Sequence, residues 1–281
     1  MALTAEHFSI VKQLVFKRAK IVLEPGKEYL VESRLSILAQ ERGTASVTDL
    51  IESLRFSPTQ TLEASIVDAM TTNETSWYRD VKPFDALRTH VLPDLIARRG
   101  TTRSLVIWSL ACSSGQEAYG TAMLMKDHFP ELANWRVEII GGDISTSVLE
   151  QAKAGLYSQL EMNRGLPASQ LVRYFDREGM FYRIKPEIRR RVAFREMNLA
   201  GPWPILPRPD IVFLRNVMIY LDMDTRRAIL SNIAKNLAPD GYLFLGAGES
   251  TLNLDSSFQR VDSDRAGCFQ LLDGSLRSER G

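Results

Sequence analysis

SLVIWSLACSSGQEAYGTAMLM, running from Ser104 to Met125, is the stretch whose reading decides the fold. Its opening, Ser104 to Leu110, is uncharged and rich in apolar, β-branched and aromatic residues, the pattern of a strand buried on both faces of a parallel sheet. From Gln116 the pattern is helical. Between the two, Cys112-Ser113-Ser114-Gly115 offers small residues only, so the backbone can turn sharply and a ligand can approach the loop and the helix N-terminus closely. The loop has too few glycines for the GxGxxG fingerprint and lacks the Gly-Lys-Ser/Thr of a P-loop. Taken alone, it serves a nucleotide-type site and a plain α/β packing turn equally well.

Composition narrows the choice. With 281 residues, 44% of them hydrophobic and 25% charged, the chain can bury the cores of one large or two modest domains. Lys and Arg number 35 against 34 Asp and Glu, a net charge of +1. Such balance excludes a global field that recruits nucleic acid or an anionic membrane, so any basic binding surface is local. The opening MALTAEHFSIVKQLVF is interrupted by Glu6, His7 and Lys12 and has no basic stretch ahead of its apolar residues. A cytoplasmic chain without targeting segment or membrane insertion is expected. The two cysteines, Cys112 and Cys268, suit a reduced compartment without a disulfide. His7, His90 and His128 stand far apart, with no cysteine or carboxylate at ligand spacing, so no metal site is expected.

Residues 1–71 read as a helical N-terminal domain. Phe8, Val11, Val15 and Ala19 share one face behind a Thr4 cap. A second helix is expected from Lys27 to Arg42, with Tyr29, Leu30, Leu35 and Leu38 inward and Gly43 as its stop. Ser46 to Phe56 and Pro58 to Met70 follow, the latter opening on its proline. Between Ser9 and Lys20 lie Lys12, Lys17, Arg18 and Lys20 and no acid, either a solvated face or a docking face for an acidic partner. Residues 72–81, TNETSWYRDV, are expected to make a poor core segment and a linker lying over a pocket. A helix from Lys82 to Arg99 then leads into a domain covering residues 82–281.

Strands at Ser104–Leu110 and Arg136–Gly142, each followed by a helix (Gln116–His128 and Thr146–Ala154), predict a doubly wound parallel sheet. Asp143, at the carboxyl end of the second strand, can accept both ribose hydroxyls of a nucleotide-like cofactor; alternatively it caps the next helix, a task open to Ser145. From about 155 to 196 the rhythm breaks. A helix at Leu166–Phe175 and short antiparallel strands at Met180–Ile184 and Val192–Phe194, with Lys185, Arg189, Arg190 and Arg191 between them, predict a small β-subdomain insertion. A strand at Asp210–Leu214, a helix at Asp224–Leu237 and strands at Tyr242–Leu245 and Cys268–Leu272 complete the sheet. The polar tail Asp273–Gly281 is expected to fray.

TTNETSWYRD, SLACSSGQEAYG, GGDISTSVLEQAKAG, RNVMIYL and GYLFLGAGES, in this order and spacing, resemble the chemotaxis receptor glutamate O-methyltransferase family over nearly the whole chain. The resemblance implies an α/β S-adenosylmethionine-dependent methyltransferase domain preceded by an all-α domain. It implies methyl transfer to glutamate carboxylates on the cytoplasmic helical bundle of methyl-accepting chemotaxis receptors, with S-adenosylhomocysteine as product. Residue by residue, it places Asn73, Thr75 and Arg79 on the cofactor, Glu117 at its amino-acid part, Asp143 on the ribose, Asn198 and Leu199 around the adenine, and Arg215 and Asn216 closing the pocket. It links Arg79 and Tyr220 to catalysis. The basic face of Lys12, Lys17, Arg18 and Lys20 becomes a candidate receptor dock. Two departures stand out: Gly115-Gln116-Glu117-Ala118-Tyr119-Gly120 replaces the family's usual Gly-Glu-Glu-Pro-Tyr-Ser, and Asn198-Leu199-Ala200 its Asn-Leu-Leu. Family members tethered by a receptor C-terminal pentapeptide carry a longer loop than Asp176-Arg177-Glu178-Gly179, which implies that this chain does not depend on such a peptide. The alternatives are a methyltransferase for another acceptor and a catalytically silent cofactor-binding adaptor.

Overall fold

A computed structural model describes residues 3–261 and 266–272, and the chain divides into two compact units, Met1–Thr72 with Tyr220–Thr225, and Asn73–Ile219 with Arg226–Gly281. The first unit is built on helices α1 (Ala5–Ala19), α2 (Glu28–Glu41), α3 (Val47–Phe56) and α4 (Gln60–Met70). Thr4, Ser46 and Thr59 each accept a backbone N–H at the start of α1, α3 and α4, satisfying donors that helix geometry leaves unpaired. Pro58 therefore precedes the cap of α4 and does not open its first turn. Phe8, Val11, Val15 and Ala19 are buried as their spacing predicts. In α2 the inward stripe is Val31, Leu35 and Leu38, whereas Tyr29 is 64% exposed. Two residues from Val31 is roughly 200° around a helix, which puts Tyr29 on the opposite face.

Arg34 closes the far end of α4. Its guanidinium donates to the carbonyls of Met70 (2.6 Å) and Thr71 (2.9 Å) and to Thr72 Oγ1 (3.0 Å), where unpaired carbonyls and the helix dipole both favour a cation. The 220–225 segment joins this unit through an antiparallel bridge between Ile21 and Leu221 and through the Val22 N–H donating to the Tyr220 carbonyl at 2.9 Å.

The second unit opens with α5 (Lys82–Ala86), a π-turn over Leu87–Val91 and α6 (Leu92–Arg99) in succession. Its main sheet contains β1 (Ser104–Leu110), β2 (Arg136–Asp143), β6 (Val192–Glu196), β7 (Ile211–Leu214), β8 (Tyr242–Leu245), β9 (Phe258–Arg260) and β10 (Cys268–Leu271), in the order β6-β2-β1-β7-β8-β10-β9. Strands β6 to β8 run parallel, and β10 is antiparallel to both β8 and β9. Helices α7 (Gln116–His128), α8 (Thr146–Ala154) and α12 (Met223–Asn236) supply crossovers. Register aligns Leu110 with Gly142 and Leu214, which brings the turn after β1, Asp143 and Arg215 to one end of the sheet. Ile107, Phe213 and Phe244 are fully buried, the last two rings stacked at 4.8 Å. At the opposite end, Arg99 bridges Asp210 (2.9 Å) and Asp240 (2.6 Å).

Two expectations need correction. Val192–Glu196 is not part of the antiparallel insertion: it pairs parallel with β2 and forms one edge of the main sheet. The small sheet consists of β3 (Leu156–Ser158), β5 (Phe181–Ile184) and β4 (Phe175–Glu178) in the order β3-β5-β4, antiparallel throughout. Short helices α9 (Gln159–Met162), α10 (Ala168–Tyr174) and α11 (Pro186–Arg189) accompany it. Trp77, placed by composition in a poor core segment, is 1% exposed, its ring edge-on to Tyr157 (5.1 Å) and Phe175 (5.4 Å). Those aromatics come from the small sheet, so no window of sequence around Trp77 could reveal its partners.

Cys112 and Cys268 are both buried, and among the described residues neither forms a disulfide. Among the described residues no helix is long and apolar enough to cross a membrane. The tail from Asp273 lies outside the described residues.

Candidate functional site

The turn after β1 runs through left-handed backbone. Ala111, Ser113 and Gly115 have φ of 54°, 50° and 91°, a region that any residue with a Cβ enters at a cost. At Gly115 a Cβ would lie 2.8 Å from Phe194 Cζ and 3.1 Å from Ala152 Cβ. Glycine is thus required twice, for dihedral angle and for space. The same ring covers Gly141 of β2, where a Cβ would approach Phe194 Cδ1 to 2.6 Å.

A first circuit of hydrogen bonds surrounds Asp143, which is 6% exposed. Its Oδ2 accepts the Ser113 N–H (2.8 Å) and its Oδ1 the Ser145 N–H (3.0 Å). Ser145, not Asp143, caps α8, accepting the Val148 N–H. Ser113 Oγ donates to the Asn73 carbonyl (2.6 Å), and Asn73 Nδ2 reaches Ser145 Oγ (3.4 Å). Just beyond β6, the Met197 N–H donates to the Asp143 carbonyl at 2.8 Å, which sets Asn198 next to Asp143. Asn198 Oδ1 accepts the Ala200 N–H (3.0 Å), and the Leu199 carbonyl accepts Trp203 Nε1–H (3.0 Å).

A second circuit centres on Arg215, whose side chain is 2% exposed. Its Nη1 donates to Glu117 Oε2 (2.8 Å), and its Nη2 donates to the Arg79 carbonyl and to Asp80 Oδ2 (both 2.7 Å). Ser109 Oγ donates to the other oxygen of Glu117 at 2.7 Å, and the Phe84 ring lies 5.8 Å from the guanidinium carbon. Arg79 donates Nη1–H to the Glu74 carbonyl (2.8 Å), with Thr75 half-buried between them in sequence. Asn216 sits at φ 58°, its N–H on Glu249 Oε2 at 2.8 Å. Tyr220 belongs to the first unit.

The structure thus brings together Asn73, Asp143 and Asn198, and separately Arg79, Glu117 and Arg215. Residues that sequence reasoning passed over hold them in place. Glu249 accepts the N–H groups of Gly246, Asn216, Val217 and Met218 at 2.7 to 2.9 Å; an acid just after the Gly246-Ala247-Gly248 turn was its signal. Asp80 was signalled by its place beside Arg79. For Ser109, on a strand read as apolar, there was none.

Burial, with the carboxylates of Asp143 and Glu117 adding to it, pushes the Cys112 thiol well above its ordinary range. Cys112 is therefore a neutral thiol at physiological pH and not a nucleophile. Among the described residues no group of three or more His, Cys, Asp and Glu could hold a metal ion. What the site offers is a pair of carboxylates at the head of a turn with no room for a side chain. A carboxylate accepts from two hydroxyls or from an ammonium group, so this pair of acceptors fits a cationic, ribose-bearing cofactor.

Known proteins agree with that chemistry. Residues 6–71 match the family model for the all-alpha domain of CheR methyltransferases, and residues 73–266 match the model for their SAM-binding domain. The chain is 44% identical over 259 residues to chemotaxis protein methyltransferase 1 of Pseudomonas aeruginosa, covering 90% of this chain and 93% of that protein. It is 41% identical over 260 residues to the chemotaxis protein methyltransferase Cher2 of Pseudomonas putida, covering 90% and 94%. A Vibrio anguillarum chemotaxis protein methyltransferase is 40% identical over 244 residues, covering 86% and 88%. With both domain models matched in order and the relatives aligned along most of their length, the chain belongs to the CheR family of S-adenosylmethionine-dependent chemotaxis protein methyltransferases.

Proposed function

We propose that the chain methylates glutamate side chains on the cytoplasmic helical bundle of chemoreceptors, giving glutamate methyl esters. The observation that carries this reading is the placement of Arg79: its own carbonyl is held by the same Arg215 that grips Glu117. An acceptor-binding cation is thereby tied to a cofactor-binding carboxylate. In this reading Asp143 takes the ribose and Glu117 the amino-acid end of the cofactor, while Asn198 and Leu199 flank the adenine. Asn73, Thr75 and Arg79 cover it from the 72–81 segment, and Arg215 and Asn216 close the pocket. S-adenosylmethionine, when bound, supplies a methyl group made electrophilic by its sulfonium.

The acceptor needs little further activation. A glutamate with an ordinary pKa of about 4.3 is ionised at neutral pH, so no general base is called for. The protein's residues orient the carboxylate and exclude water, and good orientation alone can remove roughly 7 to 11 kcal/mol of barrier. Arg79 suits a bidentate grip on a carboxylate. Because too tight a grip would quench the nucleophile, its role is to position. The catalytic role of Tyr220 rests on the family resemblance, and Tyr220→Phe, with its kcat compared with wild type, tests it.

The basic face of α1 is the receptor dock in this reading, and it is narrower than its sequence suggests. Arg18 donates Nε–H to Glu63 at 2.9 Å, Lys20 Nζ lies 4.7 Å over the Phe16 ring and Lys12 is half-buried, whereas Lys17 is exposed. Independence from a C-terminal pentapeptide is supported by the connection from β4 to β5, which is only Gly179-Met180. Mass spectrometry of a receptor cytoplasmic fragment incubated with protein and cofactor should find methyl esters on glutamates. Their absence from glutamate, with methyl on another residue type, would overturn the assignment. Calorimetry with a receptor C-terminal pentapeptide should show no binding; submicromolar affinity would overturn the tether-free reading.

A further inference from the structure

The backbone between Trp77 and α5 is strained. Tyr78, Asp80 and Val81 have φ of 50°, 69° and 52°, and Val81 is β-branched with ψ of −56°, a conformation such a residue rarely adopts. Strain of this kind persists where the surroundings over-determine it. Three anchors do so here. Trp77 is locked among the aromatics of the small sheet. Tyr78 Oη donates to Gln170 Oε1 (2.7 Å) and lies within hydrogen-bond distance of the Gly120 carbonyl (3.1 Å). The third anchor is the pair between Asp80 and Arg215, 2.7 Å.

That third anchor serves both of its ends. Nη2 of Arg215 carries two N–H groups, of which the Arg79 carbonyl accepts one and Asp80 Oδ2 the other, each at 2.7 Å. For the buried guanidinium, Asp80 is thus one acceptor beside the carboxylate of Glu117. For the chain that carries it, the bond ties down the strained backbone, because Asp80 sits within the left-handed turn and immediately after Arg79. We propose that Asp80 is a positioning residue for methyl transfer: its carboxylate on Arg215 locks the turn at Arg79–Val81 and thereby fixes Arg79 relative to Glu117. The inference rests on the assignment of Arg79 to the acceptor carboxylate and adds to it a residue that touches neither substrate nor cofactor.

Asp80→Asn keeps the shape and an acceptor oxygen while removing the charge; Asp80→Glu keeps the charge. Hydrogen exchange read by mass spectrometry reports the turn without reference to activity. In Asp80→Asn, amides of residues 78–82 should exchange about tenfold faster or more, with peptides of β1 and β7 unchanged. In methyl transfer, kcat should fall by about tenfold or more while the cofactor KM stays within about twofold. Asp80→Glu should recover part of the loss. On an Arg79→Ala background, Asp80→Asn should cost less than about threefold, since the residue it positions is gone. Unchanged exchange at 78–82 overturns the proposal, as does faster exchange across the whole unit or a kcat loss of equal size with and without Arg79. Undiminished transfer by Arg79→Ala would instead sink the assignment of Arg79, and the exchange data would still decide whether Asp80 holds the turn.

Discussion

Replacing Gly115 by alanine loads two separate costs onto the turn that heads the site, and they can be measured apart. At φ 91° an alanine adopts the left-handed region, a cost of about 1–2 kcal/mol. Its Cβ would also lie 2.8 Å from Phe194 Cζ and 3.1 Å from Ala152 Cβ, and overpacking of this kind costs about 1–3 kcal/mol. The expected destabilisation is therefore about 2–5 kcal/mol. Trp77, Trp108, Trp135 and Trp203 are all the tryptophans of the chain and all belong to the second unit, so their fluorescence in urea reports that unit. The midpoint should drop with an unchanged slope. Phe194→Leu removes the ring atom in the way and leaves the dihedral cost. The double variant should thus be less destabilised than the two singles added together, by about 1–3 kcal/mol. Calorimetry with S-adenosylmethionine should show weakened binding in Gly115→Ala. A change below about 0.5 kcal/mol in the single variant, or additivity in the cycle within the same margin, would refute the reasoning.

The hydrogen bonds from Arg99 hold the Asp240 carboxyl below its ordinary 3.8, against the opposing effect of burial. A carboxyl depressed on folding contributes stability that is present above its unfolded value and lost as pH falls through the folded one. The wild type should accordingly lose stability in urea between about pH 5 and pH 2, and Arg99→Gln should lose less over that window; identical acid sensitivity would contradict this. Glu249→Gln sets an amide nitrogen against backbone donors, and should cost roughly 2–4 kcal/mol in the same fluorescence assay; a change under about 0.5 kcal/mol would show that the Asn216 loop does not depend on the carboxylate. Lys17→Glu should slow receptor methylation more at low salt than at high salt and leave cofactor affinity intact, because exposed charges act through a screened field. Insensitivity to that reversal would move the dock elsewhere.

Much of the sheet is legible in the sequence because its signals are local. The β1–turn–α7 stretch and the Thr146–Ala154 helix fall where periodicity and caps put them. Elements of three or four residues, β3, β4 and β9, are too short to show alternation. Val192–Glu196 reads as a strand, but which sheet it joins is set by pairing with β2, some fifty residues earlier, and not by its own residues. Trp77 looks like a linker residue among polar neighbours until the small sheet closes over it. At the site, Asp143 stands out as a candidate from its place at the carboxyl end of β2, whereas Glu117 is singled out only by the family resemblance. What the sequence conceals is the Arg215 junction, where Asp80, Arg79 and Glu117 meet through hydrogen bonds between distant segments. The position of Glu249 after a glycine turn is visible, but its partners are not, since its four donors lie on two loops.

The most direct test of carboxyl methylation is incubation of the protein with labelled S-adenosylmethionine and receptor-enriched membranes, followed by counting base-labile methyl on receptor-sized bands. Wild-type protein should place base-labile label on the receptors, and Arg79→Ala should place almost none. Label that resists base, or no label from a protein that binds the cofactor tightly in calorimetry, would contradict glutamate methyl transfer to receptors.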